Sequence, residues 1–297
     1  MNTKFATIAL IGKPNVGKST LLNYLIGQKV SIVTHKPQTT RTTITGVVTK
    51  DNTQFLFLDT PGIFATQNNL DKNMVRCAWS SISAADYVLL LIDATKDYEP
   101  DNITKGILKK IEKHEQNNIA IVFNKVDKVD FVALQKLQQQ MKALMPDAIQ
   151  FKTSAVSGKG VGDLIRHLKS IAPISPLQYD RLSYTTLSMR FIASEITREQ
   201  LFLQLGHELP YKVKVDTESW EDLEGNRVII KQVITTEEKN HKYMILGNKG
   251  QKIKSIGQKS RQEINKVLDV RAHLELFVNV TKDWIENIEK QTGQHQL

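Results

Sequence analysis

The sequence predicts an α/β domain on a mostly parallel, doubly wound sheet, followed by a smaller α+β domain. Apolar, β-branched runs alternate with longer segments of helical spacing over the first 170 residues, which is typical of alternating strands and helices. Two prolines then interrupt the chain within residues 173–182, and the order of elements changes beyond them. We therefore predict domains at 1–172 and 183–297, joined by a linker at 173–182.

Strands and helices alternate throughout the predicted first domain. We predict strands at 6–11, 54–58, 87–92, 119–123 and 149–152, and helices that include 103–115 and 132–145. A further strand is expected between the polar segment 37–43 and the strand at 54–58. This alternation places helices on both faces of one sheet.

The second domain begins with a helix at 187–205 and continues with two alternating strands. These strands are predicted within 211–220 and 226–236, with "EDLEGN" as the hairpin turn. A short helix, the loop "GNKG" at 247–250, a helix at 251–268 and a strand at 272–280 follow. The segment 281–290 is predicted as a closing helix with Thr281 as its cap.

Charge is spread unevenly along the chain. The 297 residues carry a net charge of +9, which favours a polyanionic partner. Residues 1–170 hold 22 Lys and Arg against 14 Asp and Glu, whereas residues 171–297 hold 18 against 17. Within that nearly neutral half, residues 241–271 hold 8 basic residues against 2 acidic ones. We therefore expect a basic binding face on the second domain.

Several classes of protein are excluded by composition. The single cysteine, Cys77, rules out an intrachain disulfide and favours a reducing compartment. The histidines show no metal-ligand spacing, so we expect no zinc site. The N-terminal apolar run leads directly into a glycine-rich loop, so we do not expect it to be a signal peptide. The longest uncharged apolar run is too short to span a bilayer. We expect a cytoplasmic protein, with peripheral membrane contact left open.

A phosphate-binding loop follows the first predicted strand. The stretch "GKPNVGKST" fits the pattern G-x-x-x-x-G-K-[ST] and precedes a helix. Its glycines let backbone N–H groups turn toward phosphates, while Lys18 supplies positive charge and Ser19 a Mg²⁺ ligand. The nucleotide-binding residues expected here are Gly12, Lys13, Pro14, Asn15, Val16, Gly17, Lys18, Ser19 and Thr20.

The choice of base is indicated by "NKVD" at 124–127, at the end of a predicted strand. The Asp127 carboxylate can accept from guanine N1–H and the 2-amino group, neither of which adenine offers. Asn124 is left with two roles, to bind the base edge or to tie loops together. The further residues expected to contact the nucleotide here are Lys125, Val126, Thr153, Ser154 and Ala155.

The segment "DTPG" at 59–62 ends the third predicted strand. Asp59 is placed to hold Mg²⁺ through water, and the Gly62 N–H can contact the γ-phosphate. A threonine of "PQTTRTT" at 37–43 can add a Mg²⁺ ligand, although spacing does not choose among its four threonines. Thr60, Pro61 and Ile63 complete the nucleotide-binding residues expected here.

The loop "GNKG" between two helices has the form of a nucleic-acid clamp. Glycines allow close approach of a sugar-phosphate chain, and Lys249 can pair with a phosphate. The following helix has an apolar face and several lysines on its other faces. The RNA-binding residues that we expect are Gly247, Asn248, Lys249, Gly250, Lys252, Lys254 and Lys259.

These segments, in this order, resemble the TrmE-Era-EngA-like GTPase family, in the group that carries a C-terminal type II KH domain. The resemblance covers about residues 5–285. Beyond the nucleotide motifs, it includes "QTTR" (38–41), "SEITREQL" (194–201), "HELPY" (207–211), "ILGNKGQKIKSIG" (245–257) and "VNVTKDW" (278–284). It implies a P-loop GTPase domain, with Lys18, Thr40 and Gly62 as catalytic residues and Ser19, Thr40 and Asp59 at the metal.

The resemblance also implies a biological role. It implies binding to the 3′ end of 16S ribosomal RNA, help in 30S subunit assembly, and gating of RNA binding by GTP. It implies peripheral contact with the inner membrane, while we expect a monomer without an obligate protein partner. Asn15 resembles an asparagine that binds K⁺ in some of these enzymes, but a hydrogen bond that stiffens the loop is an equal alternative.

Two features depart from related patterns. Ras-like enzymes orient the attacking water with a glutamine where this chain has Ile63, so either another group does so or intrinsic hydrolysis is slow. The segment after "DTPG" is also less basic than in the family. Two other functions are considered, a GTPase that supports an RNA-modifying enzyme and a GTPase whose second domain only binds proteins. The first would need a catalytic cluster in 171–297, which the sequence does not offer.

Overall fold

The computed structural model describes residues 2–64, 69–96, 99–113, 118–206 and 208–282. The chain divides into two units, Met1–Thr186 and Leu187–Leu297. Within the described ranges, the helices are too short or too polar to cross a membrane.

The first unit is a six-stranded sheet with helices. Its strands are β1 (Lys4–Ile11), β2 (Ile44–Lys50), β3 (Thr53–Asp59), β4 (Tyr87–Asp93), β5 (Ile119–Asn124) and β6 (Ile149–Lys152). They lie in the order β2-β3-β1-β4-β5-β6, and β2 is antiparallel to β3 while the other pairs are parallel. The helices are α1 (Lys18–Ile26), α2 (Asn69–Ser83), α3 (Asn102–Lys113), α4 (Phe131–Leu144) and α5 (Val161–Ile171).

Burial of the central strands explains why the functional loops converge. All residues of β4 and β5 are buried, as expected for parallel strands covered on both faces. Since β1, β3, β4 and β5 run in one direction, their carboxyl ends meet at one edge of the sheet. The phosphate loop, Asp59, Asp93 and Asn124 all lie at this edge, where ligands bind in such folds.

The second unit packs helices against a three-stranded sheet. Its elements are α6 (Met189–Gln204), β7 (Val213–Leu223), β8 (Arg227–Thr236), α7 (Lys239–Leu246), α8 (Gln251–Leu268) and β9 (Arg271–Val280). The strand order is β7-β8-β9, and β8 pairs with β9 in parallel. Apolar side chains from α6, α8 and the inner sheet face form its core, including Ile192, Ile230 and Ile264.

The residues predicted as a linker lie along strands of the first unit. The Phe5 N–H donates to the Pro173 carbonyl, and the Val47 N–H of edge strand β2 donates to the Tyr184 carbonyl. Gln54, fully buried in β3, accepts from the N–H groups of Gln178 and Tyr179 and donates back to the Tyr179 carbonyl. The segment 173–186 is therefore fastened to β1, β2 and β3.

One strand boundary differs from the sequence-based expectation. Strand β7 continues to Leu223, because Trp220–Leu223 keep pairing with β8 beyond a register shift at Thr217/Ser219, so the turn is shorter than "EDLEGN". Strand β2, which was expected between the 37–43 segment and the strand at 54–58, covers seven residues. The predicted closing helix at 281–290 lies almost entirely outside the described residues, as does the end of "VNVTKDW".

Candidate active site and nucleic-acid interface

The phosphate loop joins β1 to α1 through residues 12–17. Gly17 has a φ of 98° at the start of α1, and a Cβ there would lie 2.3 Å from the Asn124 side chain. Only glycine fits both conditions. The Lys18 ammonium donates to the carbonyls of Gly12 (3.2 Å) and Lys13 (3.0 Å), and this holds the loop closed around its side chain.

Burial shifts the two charged groups beneath the loop in opposite senses. It lowers the pKa of Lys18 to about 8, although the nearby Asp59 charge opposes this. It raises the pKa of Asp59, while Lys18, Ser19 and Ser31 act in the other direction. Both charges are disfavoured by desolvation, so phosphate and a cation would relieve a cost that the folded chain already carries.

Three predicted metal ligands meet at one point. The Ser19 hydroxyl donates to Asp59 Oδ2 (2.6 Å) and lies 3.1 Å from the Thr40 hydroxyl. The other carboxylate oxygen, Oδ1, is buried without a hydrogen-bond partner among the described residues. An oxygen-only set of two hydroxyls and a carboxylate fits Mg²⁺. When bound, the ion would neutralise charge on the phosphates, with Ser19 and Thr40 as ligands and Asp59 through water.

The structure distinguishes among the threonines of 37–43. The Thr39 hydroxyl donates to the Lys36 carbonyl, and that of Thr43 lies 2.9 Å from the Ser81 hydroxyl of α2. Thr42 is exposed. Thr40, which is buried, contacts the Ser19 hydroxyl, so it lies beside another residue expected at the metal.

The other end of the site is organised by Asn124. Its amide donates to the Val16 carbonyl (2.9 Å) and accepts from the Ala155 N–H (3.0 Å), so it ties the phosphate loop to the loop after β6. The Lys125 ammonium donates to the Asn15 carbonyl and pairs with Asp93, both at 2.6 Å. Of the two roles expected for Asn124, these contacts show the one that fastens loops. Asp127 is exposed and faces the cavity.

A cavity of about 380 Å³ joins the phosphate end to the base end. Among the predicted nucleotide residues, the cavity is lined by Pro14, Asn15, Gly17, Lys18, Ser19, Thr20, Thr40, Gly62, Asn124, Lys125, Asp127, Ser154 and Ala155. The others do not line the cavity, although several hydrogen-bond to lining residues or to the adjacent strand: Gly12, Lys13, Val16, Asp59, Thr60, Pro61, Ile63, Val126 and Thr153. For example, the buried Thr60 hydroxyl donates to the Leu10 carbonyl.

The residues after Asp59 press against the phosphate loop. A Cβ on Gly62 would lie 2.7 Å from the Pro14 backbone, and the Ile63 N–H donates to the Gly12 carbonyl (3.0 Å). The Ile63 side chain is buried in the core of the first unit. It is therefore directed away from the cavity and cannot orient water there.

In the second unit, the "GNKG" loop makes a tight turn between α7 and α8. Gly247, Lys249 and Gly250 all have positive φ, and a Cβ on Gly247 would lie 2.5 Å from Lys252 Cβ. The turn leaves Asn248 and Lys249 exposed. Of the other expected RNA contacts, Lys254 lines a groove between α8 and β9, whereas Lys252 and Lys259 are exposed outside that lining.

The groove has an apolar floor and a basic rim. Ile253, Leu274 and Leu276 form the floor, and Lys254 and Arg261 lie on the rim. Gly257 brings the helix close to β9, since a Cβ there would lie 3.3 Å from Leu276 Cδ1. An apolar surface beside an exposed glycine loop suits unpaired bases whose backbone is held by the loop.

The sequence-based reasoning missed some residues of the site. Ser31, almost fully buried, donates to Asp59 Oδ2 (2.9 Å), and Asn23 of α1 positions it by accepting from the Val30 and Ser31 N–H groups. Nothing in the polar loop around Ser31 distinguishes it from its neighbours. Asp93, in contrast, ends a buried strand, and that position could have identified it as the partner of Lys125.

Family models match a range in each of the two units. A family model described as a 50S ribosome-binding GTPase matches residues 7–125, and a KH domain model matches residues 208–285. The GTPase Era of Rickettsia conorii is 48% identical over 97% of this chain and 84% of its own length. The GTPase Era of Mesorhizobium japonicum is 44% identical over 95% of this chain and 90% of its own length.

The chain belongs to the Era GTPase family. Two solved Era structures superpose on it with a TM-score of 0.90, each covering 97% of both chains. One is a point variant of Aquifex aeolicus Era bound to GDP·AlF4⁻, at 33% identity, and the other is Era with MgGDPNP and nucleotides 1506–1542 of 16S ribosomal RNA, at 34%. The chain is thus a P-loop GTPase for guanine nucleotide and Mg²⁺, with an RNA-binding KH domain.

Replacing Ser31 with alanine should weaken Mg²⁺ binding. The change removes one donor to Asp59 Oδ2 and leaves the metal ligands in place, and loss of such a supporting bond costs about tenfold or more in metal affinity. Titration of GDP affinity against Mg²⁺ concentration measures this. Thr42→Ala, an exposed change in the neighbouring loop, is the control, and equal Mg²⁺ dependence of both variants would contradict the role of Ser31.

Replacing Asp127 with asparagine should change base preference. An amide in place of the carboxylate can donate to a carbonyl oxygen at the purine C2 position, so affinity should move from GTP towards xanthosine triphosphate. Competition binding with both nucleotides measures the ratio. Asp130→Asn, at the start of α4, is a matched control that should leave the ratio unchanged. An unchanged ratio for Asp127→Asn would remove Asp127 from base recognition.

Proposed function

We propose that this chain is a GTP-controlled switch that binds the 3′ end of 16S ribosomal RNA during 30S subunit assembly. The observation that carries the proposal is the presence, in one chain, of a complete guanine nucleotide site and a KH groove joined by a fastened linker. The solved Era complex with nucleotides 1506–1542 of 16S ribosomal RNA supports the choice of RNA. Assembly of bacterial ribosomal subunits would place the chain in the cytoplasm.

The route by which GTP would control RNA binding begins at Thr40. Its hydroxyl contacts Ser19 at the metal site, and β2 begins four residues later at Ile44. The Thr45 hydroxyl contacts that of Thr186, and the Thr185 hydroxyl donates to the Thr45 carbonyl (2.6 Å). Thr186 is the last residue of the first unit. Ordering of the 37–43 loop by Mg²⁺ and the γ-phosphate would therefore act on the residues that lead into the KH unit.

A second contact joins the same loop to the region after "DTPG". The Thr43 hydroxyl lies 2.9 Å from Ser81 of α2, two residues before the linker contact at Thr45. The 37–43 loop and the end of α2 thus meet just before the start of β2. We propose that hydrolysis loosens this junction and releases RNA.

Two related proposals follow from the family. Slow intrinsic hydrolysis is proposed because Ile63, at the position of the Ras glutamine, is buried and directed away from the cavity. The Asn15 amide donates to the His35 carbonyl (3.0 Å), which supports its loop-stiffening role. A K⁺ ion at Asn15 stays a prediction, which comparison of GTPase rates in KCl and NaCl would test. Peripheral contact with the inner membrane also stays a prediction of the resemblance.

Replacing Asn248 and Lys249 with aspartates should abolish RNA binding and leave GTP binding intact. Two negative charges at the exposed loop repel the RNA backbone while the loop glycines are kept. Binding of oligonucleotides from the 3′ end of 16S ribosomal RNA, at one fixed salt concentration, measures the loss. Unchanged RNA binding would instead favour a KH unit that serves only as a platform for proteins.

A disulfide between Thr45→Cys and Thr186→Cys should uncouple RNA binding from the nucleotide. The cross-link would fix a contact that the proposal requires to loosen in the GDP state. In the oxidised double variant, we expect equal RNA affinity with GDP and with a GTP analogue. Reduction should restore the difference, and Thr45→Cys alone controls for Cys77. A full difference in the oxidised protein would contradict this route.

A further inference from the structure

Basic side chains in the KH unit differ in whether they have acidic partners. Lys214 pairs with Asp216 (3.0 Å), Lys231 with Glu275 (3.8 Å) and Arg198 with Glu195 (2.5 Å). Three arginines, Arg227, Arg261 and Arg271, have no carboxylate partner within the part of the chain that the structure describes. They are therefore available to an anion from outside.

These three arginines meet at one end of the sheet. Arg227 and Arg271 are the first residues of β8 and β9 and lie directly opposite each other in the strand register. Like charges in that arrangement repel, so the pair weakens the sheet unless an anion lies between them. Arg261 of α8 lines the same pocket, together with Asn265. The Glu224 carbonyl accepts from Arg227 Nε (2.9 Å) and orients that guanidinium.

The pocket continues the groove that starts at the "GNKG" loop. Arg261 and His273 line both the groove and the arginine pocket. Lys254, Gln258, Arg261 and Asn265 follow one another at spacings of four and three residues, so they share one face of α8. Arg261 lies 11 residues beyond Gly250, or about 16 Å along the helix axis. A strand held at the loop could therefore follow this face to the arginines.

We propose that Arg227, Arg261 and Arg271 form a second phosphate-binding site for the same single-stranded RNA. The RNA backbone is clamped first at Gly247–Gly250, its bases lie over Ile253, Leu274 and Leu276, and a later phosphate enters the arginine pocket. Arginine suits this position because its planar fork binds phosphate oxygens in pairs. The inference rests on the proposed RNA binding and adds a length requirement, since a short RNA held at the loop alone does not reach this site.

The test compares two RNA lengths on a double variant, Arg227→Gln with Arg271→Gln, which leaves Arg261 on the rim of the groove unchanged. Oligonucleotides from the 3′ end of 16S ribosomal RNA are used, one of about four nucleotides, the length a KH loop clamps, and one of about ten. Fluorescence anisotropy against salt concentration gives affinity and its salt dependence. We expect the variant to lose about tenfold in affinity for the long RNA and nothing for the short one.

The salt dependence gives a second readout. Loss of two phosphate contacts should reduce the slope of log affinity against log salt by about 1.4 for the long RNA only. Lys231→Gln, which removes a cation already paired with Glu275, is the matched control and should change neither. Thermal unfolding of each variant checks that the fold is retained.

The outcomes separate this site from the RNA-binding loop itself. Equal loss for both lengths would overturn the proposal, because it would indicate a general electrostatic effect and not a separate site. Unchanged affinity for the long RNA in a folded variant would overturn it as well. If neither RNA bound the unsubstituted protein, the proposed RNA function would fail first, and the loop variant at Asn248 and Lys249 would show no further loss.

Discussion

A buried carboxylate, Asp59, is the constraint on which the nucleotide site depends. It is fully inaccessible to water, so its charge must be balanced by donors from the chain or by a cation. Ser19, Ser31 and the Lys18 charge supply part of that balance, and they come from the start of α1 and from the loop that follows it. One oxygen stays unpartnered among the described residues, which explains why a metal ion belongs here. The strand end therefore links metal, phosphate loop and the 37–43 loop.

The same edge of the sheet also carries the base-recognition loops and, in our proposal, connects the nucleotide site to the linker. Asn124 fastens the phosphate loop to the loop after β6, so base and phosphate recognition share one support. Strand β2 begins four residues after Thr40 and pairs along its length with β3, the strand that carries Asp59. Because the residues before the KH unit hydrogen-bond to β2 and to buried Gln54, a change at the nucleotide would reach the linker through few bonds. The linker residues thus cover part of the exposed edge of strand β2.

Sequence reasoning pointed to segments that the structure brings together around one cavity, because motifs at strand ends have a defined position in the sheet. The phosphate loop, Asp127 and the "GNKG" loop were identified from residue type, spacing and the strand or helix beside them. It could not identify Ser31, Gln54 or the arginine pair of β8 and β9, since those roles depend on contacts between distant segments. The contacts of the linker with β1, β2 and β3 could not be predicted, because prolines indicate a break in the chain but not what the chain packs against. Likewise, four equivalent threonines became distinguishable only through the position of Ser19.

The central claim is that nucleotide state reaches the linker through β2, and hydrogen exchange at one amide tests it most directly. The Val47 N–H donates to the Tyr184 carbonyl, so its exchange rate reports whether the linker is fastened to β2. With Mg²⁺ and a GTP analogue, we expect slower exchange at Val47 than with GDP. The Val88 amide of buried strand β4 should not differ between the two states. Identical Val47 exchange in both nucleotide states would contradict the claim.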